Sequence, residues 1–316
     1  MESSRFISPL KPECPLNLIE AARNLARKPK IAIVKADHKL PMIAAKEAVS
    51  ANIMVPIFIG QEDIIKSIAD QLNWDISDFK IINKPTEEES AKTGAKLCGI
   101  GSADILMKGH IHTDLFMKSV LSDSFGLKIN QRLIHLFYIS HPEGGKPLVI
   151  SDAAVNVTPD VETRKNAAQK IVKLLKSLGN KKPKIAFLSA TESVIKSVPS
   201  SVDAEKLSKW CTNNIPDAIF SGPLALDTIL SFNAAETKNL QKNPVAGDVD
   251  AIIVPDIVSG NVLFKALVYL SGGCAAGLVL GAKVPLLLTS RADPPAARLA
   301  SIALAAKVSN ERIILR

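Results

Sequence analysis

Short apolar runs alternate along the chain with longer segments in which apolar residues recur every three or four positions. The runs predict ten β-strands, at residues 30–35, 55–60, 79–84, 103–109, 133–140, 147–155, 184–189, 217–222, 250–256 and 284–290. The segments between most of them predict helices. The alternation indicates an α/β fold with a mostly parallel sheet, and the unbroken apolar runs indicate that helices cover both of its faces.

Two of the predicted helices carry end signals. A capping box, Thr-Glu-Glu-Glu, begins at Thr86 and predicts a helix that ends near Gly94 or Gly99. Thr-Pro-Asp at 158–160 offers a cap, a first-turn proline and an acidic residue for a helix that stops at Gly179.

The longest apolar segment, 262–284, is interpreted as one buried helix. Lys265 lies inside it and Ser-Gly-Gly at 271–273 interrupts it, whereas a membrane span needs about 20 apolar residues with few charges. Cys274 is therefore expected to be a packed thiol. The N-terminal segment has no signal-peptide core, so we expect a cytoplasmic protein with no membrane role.

Length and composition favour two domains with aliphatic cores. The chain has 316 residues, of which 47% are hydrophobic and only 4% are aromatic. The Pro- and Gly-rich segment 141–147 is the expected boundary between the two domains. We expect one α/β domain from residues 1–143 plus 291–316 and a second from residues 144–290.

Charge and cysteine content narrow the range of partners. The net charge of +8 suits anionic partners, either nucleic acid or small phosphorylated ligands. The basic run from Arg164 to Lys184 contains no aromatic residues, so it is interpreted as mostly a solvated helix face, and no nucleic-acid partner is expected. The four cysteines form no CxxC pair, which argues against structural zinc.

Candidate chemistry lies after the strands, because ligands of open α/β sheets bind beyond the carboxyl ends of strands. These positions hold small or hydrogen-bonding residues, with glycine where backbone must come close. The candidates are Lys108, Gly109, His110 and Thr113; Ser151 and Asp152; Asp256, Ser259, Gly260 and Asn261; and Ser290, Arg291 and Asp293.

Ser290 and Arg291 follow the last predicted strand and suit a phosphate. Arginine presents a planar fork of donors that matches phosphate oxygens two at a time. The serine hydroxyl and the N-terminus of a helix starting near Pro294 would add donors. The alternative is a surface arginine that pairs with Asp293.

Lys108 ends a buried strand, so its ammonium either reaches water or meets an anion. His110 and His112 would share one face of an extended segment and could ligate a metal. No third ligand is near in sequence, so hydrogen-bonding histidines are preferred and no metal is expected. The sequence contains no P-loop, no dinucleotide fingerprint in the correct context and no GxSxG elbow.

Taken in their order along the chain, the segments at these strand ends resemble motifs of the phosphate acetyltransferase/phosphate butyryltransferase family. The similar stretches are LMKGHIHTDLFMKSVL (106–121), VISDAAVNVTPD (149–160), FSGPLALD (220–227), NPVAGDVDAIIVPDIVSGNVLFKALVYLSGG (243–273) and LLLTSRADPPAARLASIALAA (286–306). They span about the last two thirds of the chain. The MKG and SDAA forms are closer to the butyryltransferase-like branch.

The resemblance implies two α/β domains related to the isocitrate/isopropylmalate dehydrogenase fold, with a cleft between them, and a homodimer. It implies reversible transfer of a short acyl group between coenzyme A and inorganic phosphate, with coenzyme A as a substrate and no permanently bound cofactor. Ser290 and Arg291 would bind phosphate. Residues of MKGHIHT would form the facing wall, and the SDAA and SGN segments would lie near the cleft.

One departure from the family leaves open which residue is the base that deprotonates the coenzyme A thiol. In the acetyltransferase branch a cysteine lies three residues after this serine and a catalytic aspartate seven after it, whereas this chain has Asp293 and Ala297 there. Our hypothesis is that Asp293 is the base, and a salt bridge or helix cap is the alternative role. The acyl chain, whether acetyl, propionyl or butyryl, is left open.

Two other functions remain alternatives at this point. A metal- and NAD-dependent β-decarboxylating dehydrogenase would share the implied fold, and Asp152, Asp227 and Asp256 are its candidate metal ligands. A non-catalytic protein that binds phosphorylated ligands is the second alternative.

We predict that Arg291→Ala severely reduces turnover and weakens phosphate binding, because the guanidinium neutralises the departing phosphate. Steady-state kinetics with acyl phosphate and coenzyme A measure both effects. A rate and a phosphate affinity that both stay within about threefold of wild type would refute the assignment, since a charge-assisted contact is worth about 1.5–3 kcal/mol.

Overall fold

The computed structural model describes residues 5–288 and 293–311 of a mixed α/β chain. The chain folds into two compact units. Unit I consists of Pro12–Leu133 and Ala276–Arg316, and unit II consists of Met1–Lys11 and Ile134–Ala275. Among the described helices, none combines the length and the apolarity that crossing a membrane requires.

Eleven strands and eleven α-helices make up the described parts of the two units. The strands are β1 (Lys30–Val34), β2 (Val55–Gly60), β3 (Lys80–Asn83), β4 (Ile105–Lys108), β5 (Ile134–Ser140), β6 (Leu148–Ser151), β7 (Lys184–Leu188), β8 (Ile219–Leu224), β9 (Ala251–Ile253), β10 (Cys274–Leu280) and β11 (Leu286–Leu287). The helices are α1 (Leu16–Arg23), α2 (Lys39–Ser50), α3 (Glu62–Gln71), α4 (Glu87–Gly99), α5 (Thr113–Leu121), α6 (Val161–Ser177), α7 (Pro199–Asn214), α8 (Leu226–Leu230), α9 (Phe232–Thr237), α10 (Ile257–Tyr269) and α11 (Pro295–Ser309).

Unit I contains the strand order β3-β2-β1-β4-β11, followed by most of β10. All neighbours are parallel except β10 and β11, which run antiparallel. Ile31, Ile33, Ile105 and Leu106 are almost completely buried, because helices cover the faces of these strands. The carboxyl ends of β1, β4 and β11 therefore lie side by side.

Unit II contains the strand order β5-β6-β9-β7-β8. Strands β6, β9, β7 and β8 are parallel, and β5 pairs antiparallel with β6. Its core is built from aliphatic side chains such as Ile150, Ala186 and Ile252. The low aromatic content of the sequence is consistent with this kind of core.

The unit boundaries differ from those expected from the sequence. Residues 141–147 connect the antiparallel strands β5 and β6, so the Pro- and Gly-rich segment is a hairpin loop inside unit II. The chain passes between units at residues 11/12, 133/134 and 275/276, whereas the expected boundaries were 143/144 and 290/291. Turn residues mark a change of chain direction, and that change need not be a domain boundary.

Each of the ten predicted strand segments overlaps a strand, but three of the strands are much shorter than expected. Strand β6 stops at Ser151, β9 has three residues, and β11 has two described residues. The interpretation of 262–284 as one helix is wrong, because α10 ends at Tyr269 and β10 follows. Gly272, with φ +72°, turns the chain between them. Buried helices and buried strands share apolar composition, so composition alone did not separate them.

The capping box at Thr86 is confirmed. The Thr86 Oγ1 accepts a hydrogen bond of 3.2 Å from the backbone N–H of Glu89, at the start of α4. For α6 the cap is Asp160 rather than Thr158, because the Asp160 carboxylate accepts from Thr163 N–H at 2.7 Å. The helix ends at Ser177, two residues before Gly179.

Candidate functional site

In unit I, backbone hydrogen bonds join the segments at the carboxyl ends of β1 and β4. Strand register places Lys108, the last residue of β4, beside Val34. The Gly109 N–H donates to the Val34 carbonyl at 2.8 Å, and the His110 N–H donates to the Lys35 carbonyl at 3.0 Å. A Cβ at position 109 would lie 2.4 Å from the Val34 oxygen, so only glycine fits here. These bonds fix the backbone that carries Lys108 and His110.

The His110 ring stacks on the ring of His38, which follows β1. The ring centroids are 4.1 Å apart and the ring planes are inclined by 8°. His38 is the N-cap of α2, and its Nδ1 accepts from the Leu40 N–H at 3.3 Å. The sequence analysis missed His38, although it follows β1 just as His110 follows β4. Examining the end of β1 as closely as the end of β4 would have identified it.

His110 and His112 do not act as a pair, contrary to the expectation of a shared face. His112 occupies the N-cap position of α5 without a capping bond from its side chain. It is exposed, and its Nδ1 lies 3.0 Å from Glu87 Oε2. Burial raises the pKa of Glu87, but hydrogen bonds from His112 outweigh burial and leave that pKa below its usual value. Thr113, the first residue of α5, is also exposed. Bends at residues 110 and 111 interrupt the extended geometry that the expectation assumed.

Within residues 5–288 and 293–311, no group of three or more His, Cys, Asp or Glu side chains is arranged to hold a metal ion. The Asp37 carboxylate instead forms an ion pair with Lys35 at 2.6 Å. The polar side chains at this edge of unit I include those of Lys108 and His110, with the Lys35–Asp37 ion pair on the neighbouring segment.

In unit II the Asp152 carboxylate shapes the loop after β6. It accepts hydrogen bonds from the backbone N–H groups of His135 (2.9 Å), Ala154 (3.0 Å) and Val155 (2.9 Å), and from Asn156 Nδ2 (2.6 Å). The side chain is almost fully buried. The neighbouring Ser151 is also buried, and its hydroxyl donates to the His135 carbonyl at 2.9 Å. Both side chains hold the loop in place through internal bonds.

The first turn of α10 packs directly against this loop. The Asp256 carboxylate caps the helix by accepting from the Ser259 N–H at 2.9 Å and from its hydroxyl at 3.0 Å. A Cβ at Gly260 would lie 2.4 Å from the Asp152 carbonyl oxygen. Asn261 Nδ2 donates to the Ala153 carbonyl at 3.3 Å. The structure therefore brings together all six predicted residues of unit II.

A cavity of about 710 Å³ opens beside Asp256 and Ser259, over the carboxyl ends of β7, β8 and β9. Hydroxyl groups of Thr158, Ser189 and Ser200 also line it. Its volume falls within the usual range for small-molecule sites, about 300–1,000 Å³.

Arg164 lines this cavity and is an exception to the mostly solvated face predicted for the basic run. Its side chain is buried, and its Nη2 lies 2.5 Å from an oxygen of Asp203. Lys170, two turns along α6, is buried as well, and burial lowers its pKa to about 8. The charge pattern alone did not show which face of α6 packs inward.

Ser290 and Arg291 lie outside the described residues. Asp293 is described just before α11, where its backbone carbonyl accepts from Arg298 Nη1 at 2.5 Å. Strand β11 pairs parallel with β4, and Leu287 lies beside Met107. Strand β11 therefore ends at the same edge of unit I that holds Lys108.

His135 is a buried imidazole that the sequence analysis did not single out. It lies on β5, and its Nδ1 has no hydrogen-bond partner in the described part of the chain. Burial lowers the pKa of His135 well below its usual value, and the nearby Asp152 carboxylate only partly opposes this. The ring is therefore neutral at pH 7.

Comparison with known proteins identifies relatives over most of the chain. The model of the family described as "Phosphate acetyl/butaryl transferase" matches residues 88–306. The phosphate acetyltransferase of Rickettsia felis is 38% identical over 283 residues, which cover 89% of this chain and 81% of the relative. The phosphate butyryltransferase of Clostridium acetobutylicum is 34% identical over 284 residues, covering 90% and 94%.

A solved structure agrees with these relatives. The branched-chain phosphotransacylase of Enterococcus faecalis superposes with a TM-score of 0.78 at 29% sequence identity. The match covers 89% of this chain and 98% of the Enterococcus chain.

We predict that His135 makes folding stability depend on pH below 6.5. Unfolded His135 takes up a proton near pH 6.5, whereas the folded ring resists protonation. The contribution of His135 to the free energy of unfolding is therefore complete above pH 6.5. It is lost as the pH falls below 6.5, by up to about 1.4 kcal/mol per pH unit. Urea unfolding at pH 5, 6 and 7 measures it.

The matched comparison for this prediction is His135→Leu against His141→Gln, which replaces a histidine of the exposed hairpin loop. The first variant should lose most of the slope between pH 5 and 6.5, and the second should keep it. An unchanged slope in His135→Leu would contradict the prediction.

Proposed function

Because the chain belongs to the phosphate acetyl/butyryl transferase family, we propose that it is an acyltransferase that moves a short acyl group reversibly between coenzyme A and inorganic phosphate. The relatives named phosphate acetyltransferase and phosphate butyryltransferase match most of the chain. The alternatives, a metal- and NAD-dependent dehydrogenase or a non-catalytic phosphate-binding protein, are not favoured by these relatives.

The parallel pairing of β11 with β4 is the observation that carries the proposal. It directs the end of β11 to the edge where Lys108 ends β4 and where Gly109 and His110 are held by backbone bonds. Ser290 follows three residues after β11. We propose that Ser290 and Arg291 act beside Lys108 on a single phosphate group.

The proposed reaction is direct attack of the coenzyme A thiolate on the acyl carbon of an acyl phosphate. The new carbon–sulfur bond forms as the carbon–oxygen bond to phosphate breaks, so phosphate leaves with the bonding electrons. Lys108 and Arg291 neutralise the leaving phosphate, and Ser290 donates to the oxyanion on the acyl carbon. One such donor lowers the barrier by about 3 kcal/mol, and positioning of both substrates contributes about 7–11 kcal/mol.

A thiol with a pKa of about 8.5 is only a few per cent ionised at neutral pH, so the reaction needs a base. We propose Asp293, which stands three residues after Ser290 and begins the approach to α11. No covalent enzyme intermediate is required, because the thiolate attacks the acyl phosphate directly.

Unit II supplies the second part of the proposal. We propose that the cavity beside Asp256 and Ser259 receives part of coenzyme A, because it combines hydroxyl groups with apolar walls at the carboxyl edge of three parallel strands. The isocitrate/isopropylmalate dehydrogenase-like assignment, the cleft between domains, the homodimer and the cytoplasmic location stay predictions from the resemblance.

The experiment that tests the function is thioester formation from coenzyme A with acetyl, propionyl and butyryl phosphate in parallel. We expect thioester absorbance with at least one of the three acyl phosphates. The kcat/KM for the preferred acyl phosphate should exceed that for the others by about 10–200-fold per methylene group. The rate should not change with EDTA or NAD. Absence of thioester with all three substrates would contradict the proposal.

We further predict that Asp293→Asn lowers turnover by about 10²–10⁴-fold at neutral pH, the usual contribution of a positioned base. The loss should shrink as the pH is raised towards the thiol pKa, because more thiolate then forms without a base. Asp293→Glu is the control that keeps a carboxylate. An Asn variant with wild-type turnover would eliminate Asp293 as the base.

A further inference from the structure

His38 is held by a contact that is independent of the residues proposed to bind substrate. Its ring nitrogen Nδ1 accepts from the Leu40 N–H, which makes the side chain the N-cap of α2. The bond fixes both the position of the ring and the tautomer of its neutral form, whose proton must then sit on Nε2. Helix α2 anchors this end of the arrangement, because Met42, Ala44, Ala45 and Ala48 are fully buried.

His110 is held at its backbone by the Lys35 carbonyl and at its ring by His38. The parallel stack, at 4.1 Å and 8°, covers one face of the His110 imidazole. Rotation about the terminal side-chain torsion of His110 would break that stack. The two contacts together restrict where the ring nitrogens of His110 can point.

We propose that His38 is a positioning residue that orients the His110 ring toward substrate. The inference rests on the proposed function, in which Lys108 binds phosphate at the edge of unit I that also carries His110. His38 itself acts through His110: helix α2 fixes His38, and His38 fixes His110. The arrangement assigns two separable tasks to one side chain, a cap for α2 and a stacking surface for His110.

These two tasks can be separated by substitution. His38→Asn keeps a good helix cap but removes the ring. His38→Phe keeps a flat ring for stacking but removes the cap. We expect His38→Asn to retain the wild-type melting temperature and to lose about tenfold in kcat/KM, since misplaced binding groups are costly. We expect His38→Phe to melt about 2–4 °C lower and to retain most of its activity.

The KM pattern provides a readout that a purely structural role would not reproduce. The substrate whose KM rises in His38→Asn, whether phosphate or coenzyme A, should be the same one that is affected in His110→Ala. In the His110→Ala background, adding His38→Asn should have almost no further effect on kcat/KM. His141→Gln, in the exposed hairpin loop of unit II, is the control and should match wild type.

A measurement without substrate keeps this inference distinct from the proposed function. In proton NMR spectra, ring currents from the stacked His38 should shift the ring protons of His110 upfield, and the shift should disappear in His38→Asn. Loss of acyl transfer in wild type would count against the function, whereas an unshifted His110 resonance counts against the positioning role. The positioning role would also be overturned if His38→Asn kept full activity, or if His38→Asn and His38→Phe lost the same fraction of kcat/KM.

Discussion

Close approach of two backbone segments at a glycine is the constraint on which both groups of candidate residues depend. At Gly109 a Cβ would lie 2.4 Å from the Val34 carbonyl oxygen, and at Gly260 a Cβ would lie 2.4 Å from the Asp152 carbonyl oxygen. Neither oxygen can move away easily, because each belongs to the exit of a buried parallel strand. The glycines let the segment after one strand lie against the segment after its neighbour, which brings distant parts of the sequence together.

The two edges use their polar groups differently. In unit II the Asp152 and Asp256 carboxylates accept bonds from backbone N–H groups and hold the loops that bear them. In unit I the carboxylates of Asp37 and Glu87 are paired with Lys35 and His112. These carboxylates therefore serve mainly to fix structure.

Much of the fold could be predicted because buried strands leave a plain signal. Every predicted strand segment overlaps a strand, since aliphatic runs of this length bounded by polar turns suit few other structures. The rule that ligands bind beyond carboxyl ends selected Lys108 and Asp256 as candidates before their neighbours in space were known. Strand β10 was missed because it is as apolar as α10, and Ser271 is the single polar side chain between the two elements.

Other features could not be read from the sequence, because they depend on pairing between distant segments. The stack of His38 on His110 requires β1 and β4 to be adjacent, and nothing in the local sequence around residue 38 shows this. The roles of Ser151 and Asp152 depend in the same way on β5, the antiparallel neighbour. Arg164 looked like a solvated residue because the pattern did not show which face of α6 packs inward.

The central claim is that the edge of unit I around Lys108 binds the phosphate that the reaction releases. Titration calorimetry of inorganic phosphate into wild type, Lys108→Gln and Lys118→Gln tests it most directly, because Lys118 is exposed on the nearby helix α5 and lies outside the proposed site. We predict that Lys108→Gln weakens phosphate binding by about tenfold or more and that Lys118→Gln leaves it unchanged. Equal phosphate affinities in all three proteins would contradict the claim.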